Sequence, residues 1–273
     1  MKICLLCYRG NPRCGGQGIY IYYISRELYN LGHEVHVISG PPYPEVVEGV
    51  RLHKLKSLNL YESNTSFLAN LSRIRNPVDF HEFMAACLGM FPEPFTFSIR
   101  AYHKVKQLLP YHRFDVIHDN QSLGYGLLSM KRLKVPVIAT IHHPIPIDRK
   151  LNLAQAKNIK ERFKLRRWYS FCTMQRLVSK RMERIITVSQ SSAEEIERFF
   201  KVPQNRLRVV YNGLDTNVFK GDDSVPKEPH SLILVNSGEQ PIKGVPYLLR
   251  ALQLLRRDME VKLTIVGHHI PNG

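Results

Sequence analysis

Apolar runs and amphipathic stretches alternate along this chain of 273 residues. The first run, residues 2–8, is almost continuously apolar, as in a strand that is covered on both faces of its sheet. An amphipathic stretch at 19–31 ends at Gly32, a residue typical of a helix C-terminus, and 34–39 is the next apolar run. This order predicts a right-handed βαβ unit at the start of the chain.

The same alternation continues as far as residue 211, without an internal repeat or a low-complexity tract. Alternating strands and helices are typical of an α/β fold with a parallel sheet. The stretch 57–94 is expected to be partly helical. Strands are predicted at 50–55, 115–118, 135–141, 184–188 and 207–211, and helices at 97–109, 123–133 and from a capping box at Ser191–Glu194 to Phe200. The stretch 153–181 is predicted to be a long helical region that allows one break.

The composition changes at 220–230, which is polar and contains two prolines. Such a stretch is typical of an inter-domain linker. It separates an N-terminal domain, 1–219, from 231–273, where a second strand–helix–strand order begins. Because roughly 40 residues cannot bury a core of their own, we expect this second domain to be truncated.

Charge, hydropathy and cysteine content limit the class of protein. There are 39 Lys and Arg against 23 Asp and Glu, a net charge of +16. No apolar stretch reaches the roughly 20 residues of a membrane span, and the first run is too short for a signal peptide. Five scattered cysteines, with Cys4 and Cys7 inside a predicted strand, favour buried thiols in a reducing compartment. We therefore expect a cytoplasmic globular protein.

A glycine-rich turn, Gly15-Gly16-Gln17-Gly18, follows the first strand. A nicotinamide-binding turn would need a third glycine where Ile21 stands and an acidic residue at the end of the second strand, which is Ser39. An NAD-dependent oxidoreductase is therefore disfavoured. Two interpretations of Gly15 and Gly16 remain: backbone N–H groups that approach a bound anion, or an ordinary strand-to-helix turn.

Several segments together resemble the glycosyltransferases of family 4. They include a Thr-x-His signature after a central strand, an Asn-Gly-x-Asp-x-x-x-Phe segment and a Lys-Gly pair at a helix start. The order and the spacing of the segments fit the family over the first domain and the first βαβ of the second. In chain order, the segments are 2–6 with Gly15-Gly16, 31–37, 115–118, 136–142, 184–189, 209–219 and 241–251.

The resemblance implies a GT-B fold, with two Rossmann-like domains that face a cleft. It implies transfer of a hexosyl group from a nucleotide sugar to a hydroxyl of a glycan or lipid-linked acceptor, with retention of the anomeric configuration. It also implies that neither a metal ion nor a cofactor is needed. The sequence agrees in having no Asp-x-Asp pair, the metal–diphosphate clamp of the other large glycosyltransferase fold.

The resemblance also assigns candidate site residues. His142 matches the cleft histidine that contacts the transferred sugar, and Lys243 matches the lysine that binds the donor phosphates; we treat both as catalytic candidates. From spacing alone, a structural histidine at a strand end is favoured for His142, and the alternative for Lys243 is a solvated lysine at a helix start; the resemblance reverses the preference for His142 and disfavours the alternative for Lys243. The candidates for substrate binding are Gly15, Gly16, Glu239 and Gly244.

The chain departs from the family pattern at two points. Ser237 stands where relatives carry a second cationic residue, an arginine, and no glutamate has another glutamate eight positions later. The missing Glu-x₇-Glu pair, which holds sugar and ribose in the family, leads us to expect no activity from this chain by itself. Two alternatives stay open: a non-catalytic acceptor-binding or membrane-binding fragment, and another GT-B-like enzyme such as a phosphorylase or an epimerase.

The stretch 157–184 concentrates positive charge, with ten Lys or Arg and two Glu, and Trp168, Tyr169 and Phe171 among them. It is interpreted either as a solvated helix face or as a peripheral contact with anionic lipid at the inner face of the membrane. A nucleic-acid surface is disfavoured, because no base-reading motif accompanies the charge.

Overall fold

The computed structural model describes residues 1–12, 16–61, 70–222, 224–235 and 243–267. The chain divides into two compact units. The first comprises Met1–Arg149 and Ala156–Tyr211, and the second comprises Lys150–Gln155 and Asn212–Gly273. The linker at 220–230 and the two domain boundaries beside it stay a prediction.

The described strands form two parallel sheets. Seven strands lie in one sheet in the order β3-β2-β1-β4-β5-β6-β7, and β8 pairs with β9 in the second unit. Every neighbouring pair is parallel, which confirms the expected α/β class. The strand bounds are β1 Lys2–Cys7, β2 Glu34–Ser39, β3 Arg51–Lys54, β4 Val116–Asn120, β5 Val137–Ile141, β6 Ile185–Thr187, β7 Leu207–Val209, β8 Ser231–Val235 and β9 Lys262–Val266.

Helices connect the other successive strands of the larger sheet and cover both of its faces, whereas β2 and β3 are joined by residues 40–50 without a helix. The strand order reverses between β1 and β4, and ligands of doubly wound folds bind at the carboxyl ends of strands beside such a reversal. The helix bounds are α1 Gly16–Asn30, α2 Pro77–Cys87, α3 Glu93–Leu108, α4 Gly126–Met130, α5 Pro146–Gln155, α6 Ile159–Trp168, α7 Phe171–Ser179, α8 Gln190–Phe200 and α9 Val245–Leu255, with 3₁₀ turns at Lys131–Leu133 and Gln204–Arg206.

The helical region predicted at 153–181 is interrupted twice, where the sequence allowed one break. Three helices, α5, α6 and α7, occupy this stretch and the residues before it. The chain is extended at Ala156, and the Asn158 side chain then caps α6 by accepting a hydrogen bond from the backbone N–H of Glu161 at 2.9 Å. An Asn-x-x-Glu capping signal therefore marks the break between α5 and α6.

The capping residue of α8 was also predicted wrongly. Ser189, not Ser191, precedes the helix in extended geometry, and its Oγ accepts from the backbone N–H of Ser192 at 3.1 Å. Only Val188 separates Ser189 from the end of β6, so the chain passes from the strand into the helix within two residues. Ser191 has the Glu194 of a capping box three residues later, but it already lies inside the helix.

The core covers both faces of the larger sheet, as the apolar strands predicted. On one face Leu6, Ile117 and Ile141 pack with Phe97 of α3 and Met182. On the other face lie Ile3, Leu5, Cys7, Val35 and Val37, with Ile21 of α1 against them. Cys4 and Cys7 are buried free thiols, and burial raises the pKa of Cys7 to about 12, so this thiol stays protonated and unreactive.

The second unit contains the expected βαβ order. β8 and β9 pair in parallel from Ser231↔Lys262 to Val235↔Val266, with α9 between them in sequence. Large apolar side chains of this sheet are exposed, among them Ile233 at 72% and Val235 at 78%. A parallel sheet is normally covered on both faces, so this pair of strands buries little apolar surface by itself.

Gly18 is the glycine of the first turn that the packing requires. A Cβ atom at this position would lie 2.1 Å from the carbonyl oxygen of Asn11 and 2.5 Å from that of Gly10. A Cβ atom on Gly16, the first residue of the same helix, would meet no atom within 4 Å. The close approach of the β1–α1 loop to α1 therefore depends on Gly18.

We expect Gly18→Ala to lower the free energy of unfolding by about 1–3 kcal/mol, because the backbone must shift to admit the methyl group. Gly16→Ala is the matched control, since it adds the same methyl group to the same helix and should change stability by only about 0.5 kcal/mol. Urea unfolding of both variants measures the difference. Equal stabilities would show that the loop tolerates the methyl group.

Candidate functional site

Polar side chains gather where β4 and β5 end. These strands pair in parallel with Asn120 beside Thr140, and His142 follows β5 directly. The buried polar residues of this edge are His118, Asp119, Asn120, Gln121, Ser122 and Thr140. Most buried polar groups in proteins have a hydrogen-bond partner, so the contacts among these residues determine the geometry of the edge.

His142 is held on two sides. Its Nε2 lies 2.6 Å from Oδ1 of Asn120, and its ring packs edge-on against Tyr20 of α1 at 4.4 Å between centroids. Burial lowers the pKa of His142 to about 4, so the imidazole is neutral at physiological pH. With the Nε2 proton donated to Asn120, Nδ1 keeps a lone pair that can accept a hydrogen bond.

Gln121 fixes the backbone around His142. Its Oε1 accepts hydrogen bonds from the backbone N–H groups of His142 at 2.7 Å and His143 at 3.3 Å, while its Nε2 donates to the carbonyl of His143 at 2.7 Å. One amide side chain therefore satisfies three backbone groups of the turn after β5. The orientation of His142 depends on Gln121 as well as on Asn120.

The loop after β4 presents Gln121 in an unusual backbone conformation. Gln121 and Leu123 have φ values of 57° and 48°, in the left-handed region that costs roughly 1–2 kcal/mol for a residue with a side chain. Asp119 compensates by accepting from the backbone N–H of Leu123 at 2.9 Å and from the hydroxyl of Ser122. Burial raises the pKa of Asp119 to about 6. This conformation explains why α4 begins at Gly126 and not at Leu123, as the sequence predicted.

A second hydrogen-bonded pair, His118 of β4 and Thr140 of β5, precedes His142 in the two strands. His118 Nε2 is 2.6 Å from the Thr140 hydroxyl, and both residues are buried. Burial, with a smaller contribution from His142, lowers the pKa of His118 to about 4. The Tyr20 ring contacts His142, so α1 is joined to β4 and β5 at this edge.

His143 and Asp148 form a pair beside the site, with 2.9 Å between Nε2 and Oδ1. Their contact joins the turn after β5 to the first turn of α5, which is a structural role.

The predicted substrate-binding glycines fall into different parts of the chain. Gly16 is the exposed first residue of α1, the helix whose Tyr20 contacts His142. The N-terminal N–H groups of α1 are thus at the same edge of the sheet as His142. Gly15 and Glu239 lie outside the described residues, as does Ser237.

Lys243 and Gly244 belong to the second unit. Gly244 has φ +70° and stands at the N-cap position of α9, with Pro246 in the first turn. Lys243, directly before it, is exposed. The Lys-Gly pair therefore lies at a helix N-terminus, where N–H groups and the helix dipole favour an anion.

Sequence reasoning missed three residues of the first unit: Tyr20, Asn120 and Gln121. A signal was present, because a polar run of five residues, 118–122, follows a buried apolar stretch. Assigning them to His142 requires knowing that β4 and β5 are neighbours, since Asn120 and His142 are 22 positions apart.

The chain is similar in sequence to known glycosyltransferases. The sequence profile described as Glycosyltransferase Family 4 matches residues 14–218. A relative from Mycolicibacterium hassiacum, an MMP alpha-(1->4)-mannosyltransferase, is 41% identical over 100% of this chain and 66% of its own length. An uncharacterized glycosyltransferase of Methanocaldococcus jannaschii is 24% identical over 98% of this chain and 63% of its own length. The chain thus spans just under two thirds of the length of these two relatives.

The fold has a counterpart among solved structures. Sucrose-phosphate synthase from Thermosynechococcus elongatus superposes with a TM-score of 0.58 at 14% identity, over 98% of this chain and 71% of that structure. At this identity the likeness concerns the fold, which is of the GT-B type. The profile match covers most of the chain, and the strand–turn contacts of His142 lie within it. The chain belongs to Glycosyltransferase Family 4.

Proposed function

We propose that this chain is the acceptor-side domain and the start of the donor domain of a retaining, metal-independent hexosyltransferase that uses a nucleotide sugar. The observation that carries the proposal is the environment of His142. A neutral imidazole is anchored by Asn120 and Gln121 at the carboxyl end of a central parallel strand. This is the position at which the family resemblance expects the cleft histidine.

The protonation state of His142 suits contact with a sugar better than contact with a phosphate. Its Nδ1 lone pair can accept a hydrogen bond from a sugar hydroxyl and thereby orient the donor hexose. A neutral ring contributes no charge against the diphosphate that leaves when the sugar–phosphate bond breaks. Lys243 and the N-terminal N–H groups of α1 and α9 are the groups proposed to oppose that charge.

The Mycolicibacterium hassiacum relative suggests the substrates to test first. Its name states that it transfers a mannosyl group and makes an alpha-(1->4) linkage. Mannose is a hexose, so we propose a nucleoside-diphosphate mannose as donor and a hydroxyl of an oligomannoside as acceptor. An α-linked donor and an α-linked product would correspond to retention.

A non-catalytic role for this 273-residue chain is the second candidate. The chain spans 66% of the mannosyltransferase relative, and its second unit supplies one βαβ of a donor domain. We therefore propose that these residues bind acceptor but do not transfer sugar without a complete donor domain.

Peripheral contact with anionic lipid is proposed for α6. Ile159 and Phe163, one helical turn apart, are 84% and 58% exposed, and exposed Lys160 and Lys164 adjoin them. Apolar side chains flanked by cations are typical of helices that lie in a membrane interface. Among the described residues, no helix is both long enough and apolar enough to cross a bilayer.

In a version with a complete donor domain, we expect Lys243→Ala to lower kcat on the order of 10²- to 10³-fold, because the lysine opposes charge that is largest in the transition state. Lys227→Ala, which removes an exposed cation of the predicted linker, is the control and should leave kcat unchanged. The kcat of both variants is measured from the transfer of mannose from nucleoside-diphosphate mannose to an oligomannoside. In the same assay, the 273-residue chain by itself should give no product. A change in KM alone for Lys243→Ala would contradict the assigned role.

We expect Asn120→Asp to raise the pKa of His142 from about 4 to near or above its ordinary value. A carboxylate in place of the amide oxygen, 2.6 Å from Nε2, stabilises the imidazolium that burial disfavours. In an NMR titration of the chain between about pH 8 and pH 5.5, the His142 ring signal should move in the variant but not in the wild type. The signal is assigned by its absence from the spectrum of His142→Gln. Asn205→Asp, a change at an exposed position, is the control. A His142 signal that does not move in Asn120→Asp would contradict the contact between Asn120 and His142.

For α6, we expect the double change Ile159→Ser and Phe163→Ser to weaken binding to anionic vesicles by at least about tenfold, as expected from losing the burial of two apolar side chains. Binding by the wild type should fall between about 0.1 and 1 M salt, because the screening length shrinks from about 10 to 3 Å. Tyr111→Ser removes another exposed ring and should have no effect. Binding is measured by co-sedimentation with anionic vesicles. Absence of binding at low salt would contradict the lipid contact and favour a solvated face for α6.

A further inference from the structure

A cluster of histidines lies at the opposite edge of the larger sheet, where β2 and β3 begin and the chain turns into β4. One atom each from Glu34, His36 and His112 lie within 4.8 Å of one another. Glu34 and His36 are at the start of β2, and His112 precedes β4. Because strands of a parallel sheet begin at one edge and end at the other, this cluster is at the edge away from His142.

The three ligand atoms have the spacing of a metal coordination shell. Glu34 Oε1 lies 3.1 Å from His36 Nε2 and 3.6 Å from His112 Nδ1. Two ligands at 2.0–2.1 Å from a tetrahedral zinc ion would be roughly 3.3 Å apart. The observed separations are therefore close to those of bound ligands.

A cationic nitrogen already occupies the point where these atoms converge. Nη1 of Arg51 is 2.8 Å from Glu34 Oε1, 3.3 Å from His36 Nε2 and 3.5 Å from His112 Nδ1. This nitrogen carries two hydrogens, so in the tautomers that leave His36 Nε2 and His112 Nδ1 as acceptors it cannot bond to all three atoms at once. The Arg51 side chain is 54% exposed, so it can turn into solvent without disturbing the core.

His53 contacts the second ring nitrogen of His36. His36 is fully buried, and its Nδ1 lies 3.0 Å from Nε2 of His53. When His36 donates its Nδ1 proton to His53, its Nε2 is a bare lone pair directed at the cluster. Metal-binding histidines normally donate their second N–H in this way, which fixes both tautomer and ring orientation.

We propose that Glu34, His36 and His112 bind one divalent transition cation of the zinc type, with water as the fourth ligand and Arg51 displaced. Two imidazole nitrogens and one carboxylate oxygen are a donor set that such ions accept. Lys2, whose Nζ is 3.2 Å from Glu34 Oε2, and Arg51 both oppose a divalent charge and limit the affinity. The ion would tie the start of β2 to the α3–β4 connection, a role separate from sugar transfer.

The test is zinc binding by calorimetry on the untagged chain, with cobalt as the spectroscopic probe. We expect His112→Gln to weaken zinc binding at least about tenfold, because it removes one of three ligands. Arg51→Gln should strengthen it about tenfold, because it removes the competing cation. His103→Gln, an exposed histidine of α3, is the matched control and should bind as the wild type does.

A loss of zinc affinity in one variant and a gain in the other distinguish a specific metal site from adventitious binding. Circular dichroism checks that each variant is folded. Bound cobalt should show the weak visible bands of nitrogen and oxygen ligands. Equal zinc affinities for His112→Gln and His103→Gln would overturn the proposal. A cobalt–thiolate charge-transfer band, or no zinc binding even by Arg51→Gln, would overturn it as well.

Discussion

Hydrogen bonding between the ends of β4 and β5 is the constraint on which the site depends. The two strands are parallel neighbours, so their polar residues leave the sheet at one edge and are buried together. Polar groups that are buried away from water need hydrogen-bond partners within the protein. Asn120 satisfies the His142 ring, Gln121 satisfies the backbone after β5, and Thr140 satisfies His118. The same bonds that stabilise the fold also orient His142.

Burial has an electrostatic consequence for the proposed reaction. It keeps His118 and His142 neutral and raises the pKa of Asp119, so the charged forms of all three are disfavoured at this edge. Such an edge can orient hydroxyl groups but does little to neutralise a diphosphate. The proposed division of roles follows: the buried groups of β4 and β5 position the sugar through His142, and the positive charge is proposed to come from Lys243 and from helix N-termini.

Sequence reasoning identified the parts of the molecule that depend on local pattern. Continuous apolar runs located the strands because both faces of a parallel sheet are buried, and the segments resembling family 4 located His142. Asn120 and Gln121 were missed because their roles depend on strand order, which a one-dimensional pattern does not contain. The sequence allowed one break within 153–181 but did not locate it; the Asn158 cap of α6 is a local signal that does locate one of the two breaks.

The basic stretch 157–184 illustrates the same limit for charge. It divides in the structure between α6, whose lysines are solvated, and the segment after α7, where cations bond to backbone carbonyls. Arg181 Nη1 donates to the carbonyl of Leu177 at 3.0 Å, and Arg184 Nη1 donates to that of Asn205 at 2.9 Å. Carbonyls at a helix C-terminus lack partners within the helix and carry partial negative charge, so a cation such as Arg181 at the end of α7 stabilises the fold. The charges of Arg181 and Arg184 therefore have a structural explanation, whereas α6 presents the strongly exposed apolar side chains of Ile159 and Phe163 beside exposed lysines.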